Sequence, residues 1–264
     1  MTSISPAALE AARLAVCALW LLAMPLLART LVARLRAFTS REIRIRFWGR
    51  DMAVSWTAAL ACVACAGALD VFAPAYADFR GSALGTLSWP ALRAVLLAVL
   101  VALFAAQAVG AARCAFDAAR RARLASQLRP LRWMLPASAL ERRWWILVSL
   151  TAGITEEIVV RGCLLPDLHG GGAASPLVHL PLGVAWVLSS LVFGVAHLYQ
   201  GVQGVVRTFL AGLFMGALAI LSGGLALPIV VHVIIDLNMV FLYRPDQDAP
   251  EESARLVAGC AGAA

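Results

Sequence analysis

The chain contains no lysine; its basic residues are all arginine, and charged residues fill only 14% of 264 positions. Soluble domains carry about 25% charged and about 45–50% apolar residues, whereas this chain is 62% hydrophobic with a mean hydropathy of +0.84. That scarcity of charge excludes an ordinary soluble domain and implies an integral membrane protein. A disulfide framework is also missing. The six cysteines follow no paired spacing, and the C-x-x-C of Cys62 and Cys65 lies in an apolar small-residue stretch without metal-ligand partners nearby. It reads as small apolar filler. No compositional break marks off an independent soluble domain, and no inverted repeat with paired broken helices suggests a transporter.

What is present is a series of long apolar runs. With about 20 apolar residues needed per crossing, the chain has room for about seven or eight helices. The runs predict spans at about Leu14–Val32, Met52–Tyr76, Ala91–Ala112, Trp144–Leu165, Leu180–Leu198, Val205–Ser222 and Leu225–Tyr243. The expected fold is therefore all-α, a polytopic transmembrane helical bundle of about seven spans. Arg13 ahead of the first run resembles a signal sequence, but Glu10 and the arginines that follow favour an uncleaved first span.

The net charge of +7 and pI near 9.7 do not signify nucleic acid, because the arginines are confined. Arg34, Arg36, Arg41, Arg44, Arg46 and Arg50 fill one loop; Arg113, Arg120, Arg121, Arg123, Arg129, Arg132, Arg142 and Arg143 fill another. The alternation of Arg-rich and Arg-poor loops is the positive-inside pattern, so the partner of this charge is the bilayer. It places the N-terminus outside and the C-terminus in the cytoplasm, and the Ala/Arg-rich usage suggests a bacterial inner membrane. The second basic loop mixes arginine with Leu124, Leu128, Leu131, Trp133 and Leu135 and reads as an interfacial amphipathic segment broken at Pro130 and Pro136. It ends in Ser138-x-x-Glu141, a helix-starting capping box, ahead of Trp144 and Trp145, which are expected at the headgroup belt. The loop from His169 to Pro176 reads as flexible and the acidic tail as disordered. We divide the chain into an N-terminal scaffold (1–134), a site-bearing core (135–244) and a cytoplasmic tail (245–264). The scaffold spans carry almost no expected buried polar chemistry.

The core places ionisable groups at bilayer depth, where each costs at least about 2.5–3.5 kcal/mol. They are Glu156, Glu157 and Arg161, then His197, then His232 and Asp236. Positions four apart share a helix face, so Arg161 is spaced to pair with Glu157, while Glu156, about 100° round the axis, has no such local partner. Glu157 is thus expected to be held ionised and Glu156 to exchange protons. His232 and Asp236 also share a face, as metal chelators or as an imidazole oriented by a carboxylate. Phe193 lies on the face that carries His197. His169 and His179 belong to the outer loop region. Such a set can activate water for amide hydrolysis, with a membrane peptide or protein as substrate.

Glu156-Glu157-x-x-x-Arg161-Gly162, Phe193-x-x-x-His197 and His232-x-x-x-Asp236, in this order on three helices, resemble the CPBP family of intramembrane proteases. That family takes in type II CAAX prenyl endopeptidases and the lysostaphin-resistance protein A-like group, and the resemblance spans about Leu135–Tyr243. It implies that Glu156 activates the hydrolytic water, that His197 and His232 bind it or stabilise the oxyanion, and that Arg161 supports the Glu pair. Asp236 stands where the prenyl-protein proteases often have Asn; an Asn donates to an oxyanion and an ionised Asp does not, which favours metal binding or imidazole orientation here. The family has been described both as zinc-type metalloproteases and as metal-independent glutamate proteases. If zinc is present, His197, His232 and Asp236 are its expected ligands. Two other readings stand beside the enzyme: a non-catalytic immunity or scaffold partner of the same fold, and a proton-coupled transporter. One geometric tension is evident: these boundaries put His197 near the cytoplasmic end of its span and His232 in the outer half of its own. They meet only if helices tilt, if the Gly223-Gly224 connection is re-entrant, or if a boundary slips by a turn.

Overall fold

The computed structural model describes Ser5, residues 8–21, 40–66, Phe72, 90–128, 131–170 and 178–243. Among the described residues the structure is helical, without strands. Residues 8–21 form α1, followed by α2 (Arg41–Ala66), α3 (Pro90–Phe116) and the short α4 (Ala118–Leu128). Then come α5 (Ala139–Glu157), a π-helical segment (Ile158–Leu164) and the short α6 (Leu165–His169). The chain ends its described part with α7 (Leu182–Ala196), α8 (Val202–Ser222) and α9 (Ala226–Leu242). The flexible loop and disordered tail expected above, and parts of the first two expected spans, lie outside the described residues.

Among the described residues two helices are long and apolar enough to cross a membrane, Ala94–Arg113 and Val202–Ser222, and two shorter ones are also apolar, Leu182–Ala196 and Ala226–Val240. The first turns large apolar side chains outward, Val95, Val99, Leu103 and Val109 among them. An outward apolar surface of that extent suits lipid and not water.

Where the arginines were expected to form a loop, residues 41–50 are instead the opening turns of α2. Arginine is a good helix former, so the end of an apolar run does not end the helix; it marks only where apolar surroundings stop. Arg44 is buried, and both its Nε (2.7 Å) and its Nη2 (2.6 Å) reach Glu141 Oε1. Glu141 belongs to the capping box that starts α5. Ser138 takes an extended N-cap conformation and accepts from Glu141 N–H at 3.4 Å, while Glu141 Oε2 accepts from Ala137 N–H at 2.9 Å. Burial alone would raise the pKa of Glu141, but Arg44, the Ser138 hydroxyl and the Ala137 amide outweigh it, and the carboxyl is held below its ordinary value.

Trp145 is buried: it packs edge-on against Trp48 at 5.6 Å, and its Nε1–H donates to Asp236 O at 3.1 Å, the kind of acceptor a buried indole N–H usually finds.

α5 meets α9 at Gly153, where a Cβ would collide with Val233 Cγ2 and stand 3.0 Å from its backbone nitrogen. α7 meets α8 in the same manner, with Gly212 against Ser190 and Gly194 against Phe209. Small residues bring helix axes close where no hydrophobic effect drives association. The first of these approaches lies one turn before Glu157 and next to His232, which fixes how the two motifs face each other.

Candidate active site

The two adjacent glutamates close α5, and the chain then widens into the π-helical turn. Leu165 N–H bonds Val160 O, a five-residue step, and all seven residues from Ile158 to Leu164 are buried. π-turns of this kind concentrate at functional sites because they rotate side chains away from α-helical register. Glu157 and Arg161 remain within reach: Arg161 Nη1 donates to Glu157 Oε1 at 3.0 Å, and Nη2 donates to Gly212 O at 3.1 Å. The guanidinium also lies over the Phe193 ring, 4.7 Å from its centroid. One arginine thereby ties the Glu pair to α8 and to α7.

His232 makes its shortest contact with neither neighbour on its own helix. Its Nδ1 is 2.7 Å from Glu157 Oε1, while its Nε2 is 3.8 Å from both Glu156 Oε2 and Asp236 Oδ2. The carboxylate that orients this ring is therefore Glu157, across the α5–α9 approach. Asp236, a turn along α9, stands at a longer distance. His197 caps the C-terminal end of α7 and points Nδ1 at Phe193 O, 2.8 Å away. Its ring is 4.8 Å from Phe193, which in turn is 6.3 Å from His232. His197 lies within electrostatic reach of His232 and Asp236. The six residues marked by the sequence thus form one cluster, with Phe193 at its centre. α7 is only 15 residues long, about 22 Å, and His197 at its end lies beside the Phe193 ring that also neighbours His232; Arg161 reaches the middle of α8.

Access differs sharply within the cluster. The Glu157 side chain is 0% exposed, Glu156 15% and Asp236 32%. Glu156 and Asp236 are partly open at the surface of the fold, whereas Glu157 is closed off and its Oε2 is buried without a hydrogen-bond partner.

The imidazole tautomers follow from their acceptors. A carbonyl oxygen only accepts, so neutral His197 carries its proton on Nδ1 and keeps a lone pair on Nε2. An ionised Glu157 imposes the same assignment on neutral His232. As to metal, no three His, Cys, Asp or Glu side chains among the described residues are grouped to hold an ion.

Several contributors carried no motif. Asp51, on α2, is in electrostatic reach of Glu156 and of Tyr199; in the sequence it stands beside Arg50 and looks like the polar end of a span. Trp56 Nε1–H donates to Thr151 Oγ1 at 3.2 Å, holding α2 on α5. From α1, the Arg13 fork grips Asp167 through Nε (3.2 and 3.1 Å) and Nη2 (2.7 Å), and Cys17 Sγ lies 3.7 Å from Val159 O. The thiols of Cys17, Cys62 and Cys163 meet behind the π-helical segment. The N-terminal half therefore does supply buried polar contacts, contrary to the expectation from its composition. Away from the cluster, His169 and His179 stack on each other at 6.3 Å.

Residues 138–238 match a protein-family model described as type II CAAX prenyl endopeptidase Rce1-like. No curated protein and no solved structure matches the chain. The matched segment contains all six clustered residues but not Asp51, Arg13 or Cys17.

Proposed function

Because the chain carries an Rce1-like family region over residues 138–238, we propose that it is an intramembrane endopeptidase hydrolysing a peptide bond of a membrane-associated peptide or protein. The observation that carries this reading is the bridging position of His232, 2.7 Å from the closed-off Glu157 and 3.8 Å from the more open Glu156. Two adjacent carboxylates are thereby given different surroundings. Glu157, paired with Arg161, orients the imidazole; Glu156 is left to take a proton.

In the reaction, Glu156 removes a proton from water as its oxygen attacks the scissile carbonyl carbon. The lone pair on His197 Nε2 accepts the other O–H of that water, so that two acceptors aim the oxygen. Collapse of the tetrahedral intermediate breaks the C–N bond, and Glu156 returns the proton to the departing amine. The products are a carboxylic acid and an amine. No step is routed through a metal. The N-terminus lies outside and the C-terminus in the cytoplasm, with the site opening toward the cytoplasmic leaflet of a bacterial inner membrane.

The test uses purified protein in lipid vesicles and a quenched fluorescent peptide ending in a prenylated Cys-aliphatic-aliphatic-X sequence, beside its unprenylated twin. Glu156→Ala should lower turnover by about 10²–10⁴-fold, the usual contribution of a general base. Wild-type turnover by that variant refutes the role. A chelator should leave the wild-type rate unchanged; loss restored by zinc would assign the reaction to a metal instead.

A further inference from the structure

Hydrolysis by the site just described needs a hydrogen-bond donor for the carbonyl oxygen, which gains negative charge as water adds. The clustered residues are poor in such donors. Neutral His197 spends its N–H on Phe193 O, and neutral His232 spends its own on Glu157. A proton on His232 Nε2 would already face Glu156 and Asp236, each at 3.8 Å. Arg161 is held by Glu157 and Gly212 O and lies against Phe193.

Immediately after His197 the chain makes a single 3-10 turn, Leu198–Gln200, and reverses at Gly201, whose φ of 84° is left-handed. That turn folds the Tyr199 ring back beside His197, with centroids 5.8 Å apart and planes inclined at 32°, and sets it edge-on to Trp133 at 6.4 Å. The Tyr199 hydroxyl accepts from Gln200 Nε2 at 3.1 Å. Its own O–H is given to no acceptor among the described residues. Tyr199 also interacts electrostatically with Asp51, Glu156 and Asp236, which surround the site from α2, α5 and α9. A phenol with an uncommitted hydrogen, its ring tilted beside a site histidine, can supply such a donor.

We propose that Tyr199 is a catalytic residue whose phenol O–H donates to the scissile carbonyl oxygen as the tetrahedral intermediate forms. As the water oxygen bonds to the carbonyl carbon, the C=O π pair moves onto that oxygen and the Tyr199 hydrogen bond shortens. The water proton goes to Glu156. Tyr199 keeps its proton throughout, so it is neither consumed nor recharged between turnovers. Gln200 holds the phenol oxygen from behind and turns the hydrogen away from itself. The proposal rests on the endopeptidase reading of the same site.

Its test compares four proteins on the prenylated quenched peptide: wild type, Glu156→Ala, Tyr199→Phe and Gln200→Ala. Tyr199→Phe keeps both ring contacts and loses only the hydroxyl; its kcat should fall by about 100-fold with KM within about threefold, as when one oxyanion donor is removed. Gln200→Ala leaves the O–H in place and should fall by no more than about threefold. Incorporating 3-fluorotyrosine at 199, which restores a hydroxyl, should return most of the lost rate. Wild-type kcat in Tyr199→Phe, or equal losses in Tyr199→Phe, the fluorotyrosine protein and Gln200→Ala, overturns the proposal, because a merely structural ring explains both. If the peptide is not cleaved, or is cleaved equally by Glu156→Ala, the endopeptidase reading itself fails and the role of Tyr199 falls with it.

Discussion

Replacing Arg161 with methionine isolates the buried ion pair at the centre of the cluster. Arg161 and Glu157 have side chains 2% and 0% exposed and touch at 3.0 Å. Methionine preserves much of the apolar stem and its packing on Phe193, but it strands a carboxylate whose other oxygen has no partner. Breaking a buried pair on one side costs about 3–5 kcal/mol, roughly two to four orders of magnitude in the folded-to-unfolded ratio. The Gly212 carbonyl, also stripped of its donor, is neutral and adds about 1–3 kcal/mol. Adding Glu157→Gln to the same protein removes the stranded charge and still leaves an amide oxygen for His232 Nδ1. The double variant should therefore be more stable than Arg161→Met alone, an inversion that summed contacts would not give. The assay is reversible unfolding in mixed detergent micelles, followed by circular dichroism. Arg161→Met within about 1 kcal/mol of wild type, or a double variant less stable than the single one, would refute the reasoning.

Two further outcomes follow from the packing. Gly153→Ala drives a methyl group into Val233, so it should cost about 1–3 kcal/mol as overpacking; because the shift moves His232 relative to Glu157, turnover should drop by more than thermal stability alone explains, measured on the fraction still folded. The Arg44–Glu141 link makes an acid limb in stability: Glu141 has a depressed folded pKa, so its contribution is full above the ordinary glutamate value of about 4.3 and is lost as pH falls through the lower folded value. Glu141→Gln should flatten that limb in thermal scans below about pH 4.3 and leave the neutral baseline lower; an unchanged acid limb contradicts the assignment.

What the sequence could disclose was whatever depends on short spacing. Glu157 and Arg161 are four apart, and their contact needed only helical periodicity. The same logic placed Ser138 and Glu141 in a cap. The partner of His232 was not legible that way, because Glu157 lies 75 residues earlier and the pairing depends on a glycine approach between α5 and α9. Asp236 looked like the orienting carboxylate because periodicity can only compare residues on one helix. The π-turn after Glu157 has no compositional mark, since Ile158, Val159 and Val160 would suit an α-helix equally. Arg44 and Asp51 were hidden by their neighbours: a run of arginines reads as a solvated loop, yet helix α2 carries both residues inward. Tyr199 carried no signal by spacing, since its importance comes from the 3-10 turn that follows His197.

Hydrolysis in heavy-oxygen water, read by mass spectrometry of the cleaved peptide, addresses the central claim most directly. Vesicle-bound wild-type protein should yield a new carboxyl terminus carrying one solvent oxygen, and Glu156→Ala, folded and inserted to the same extent, should yield none above background. Label-bearing product at equal rates from both proteins, or no cleavage by the wild type of either the prenylated or the unprenylated peptide, would contradict a water-activating role for Glu156.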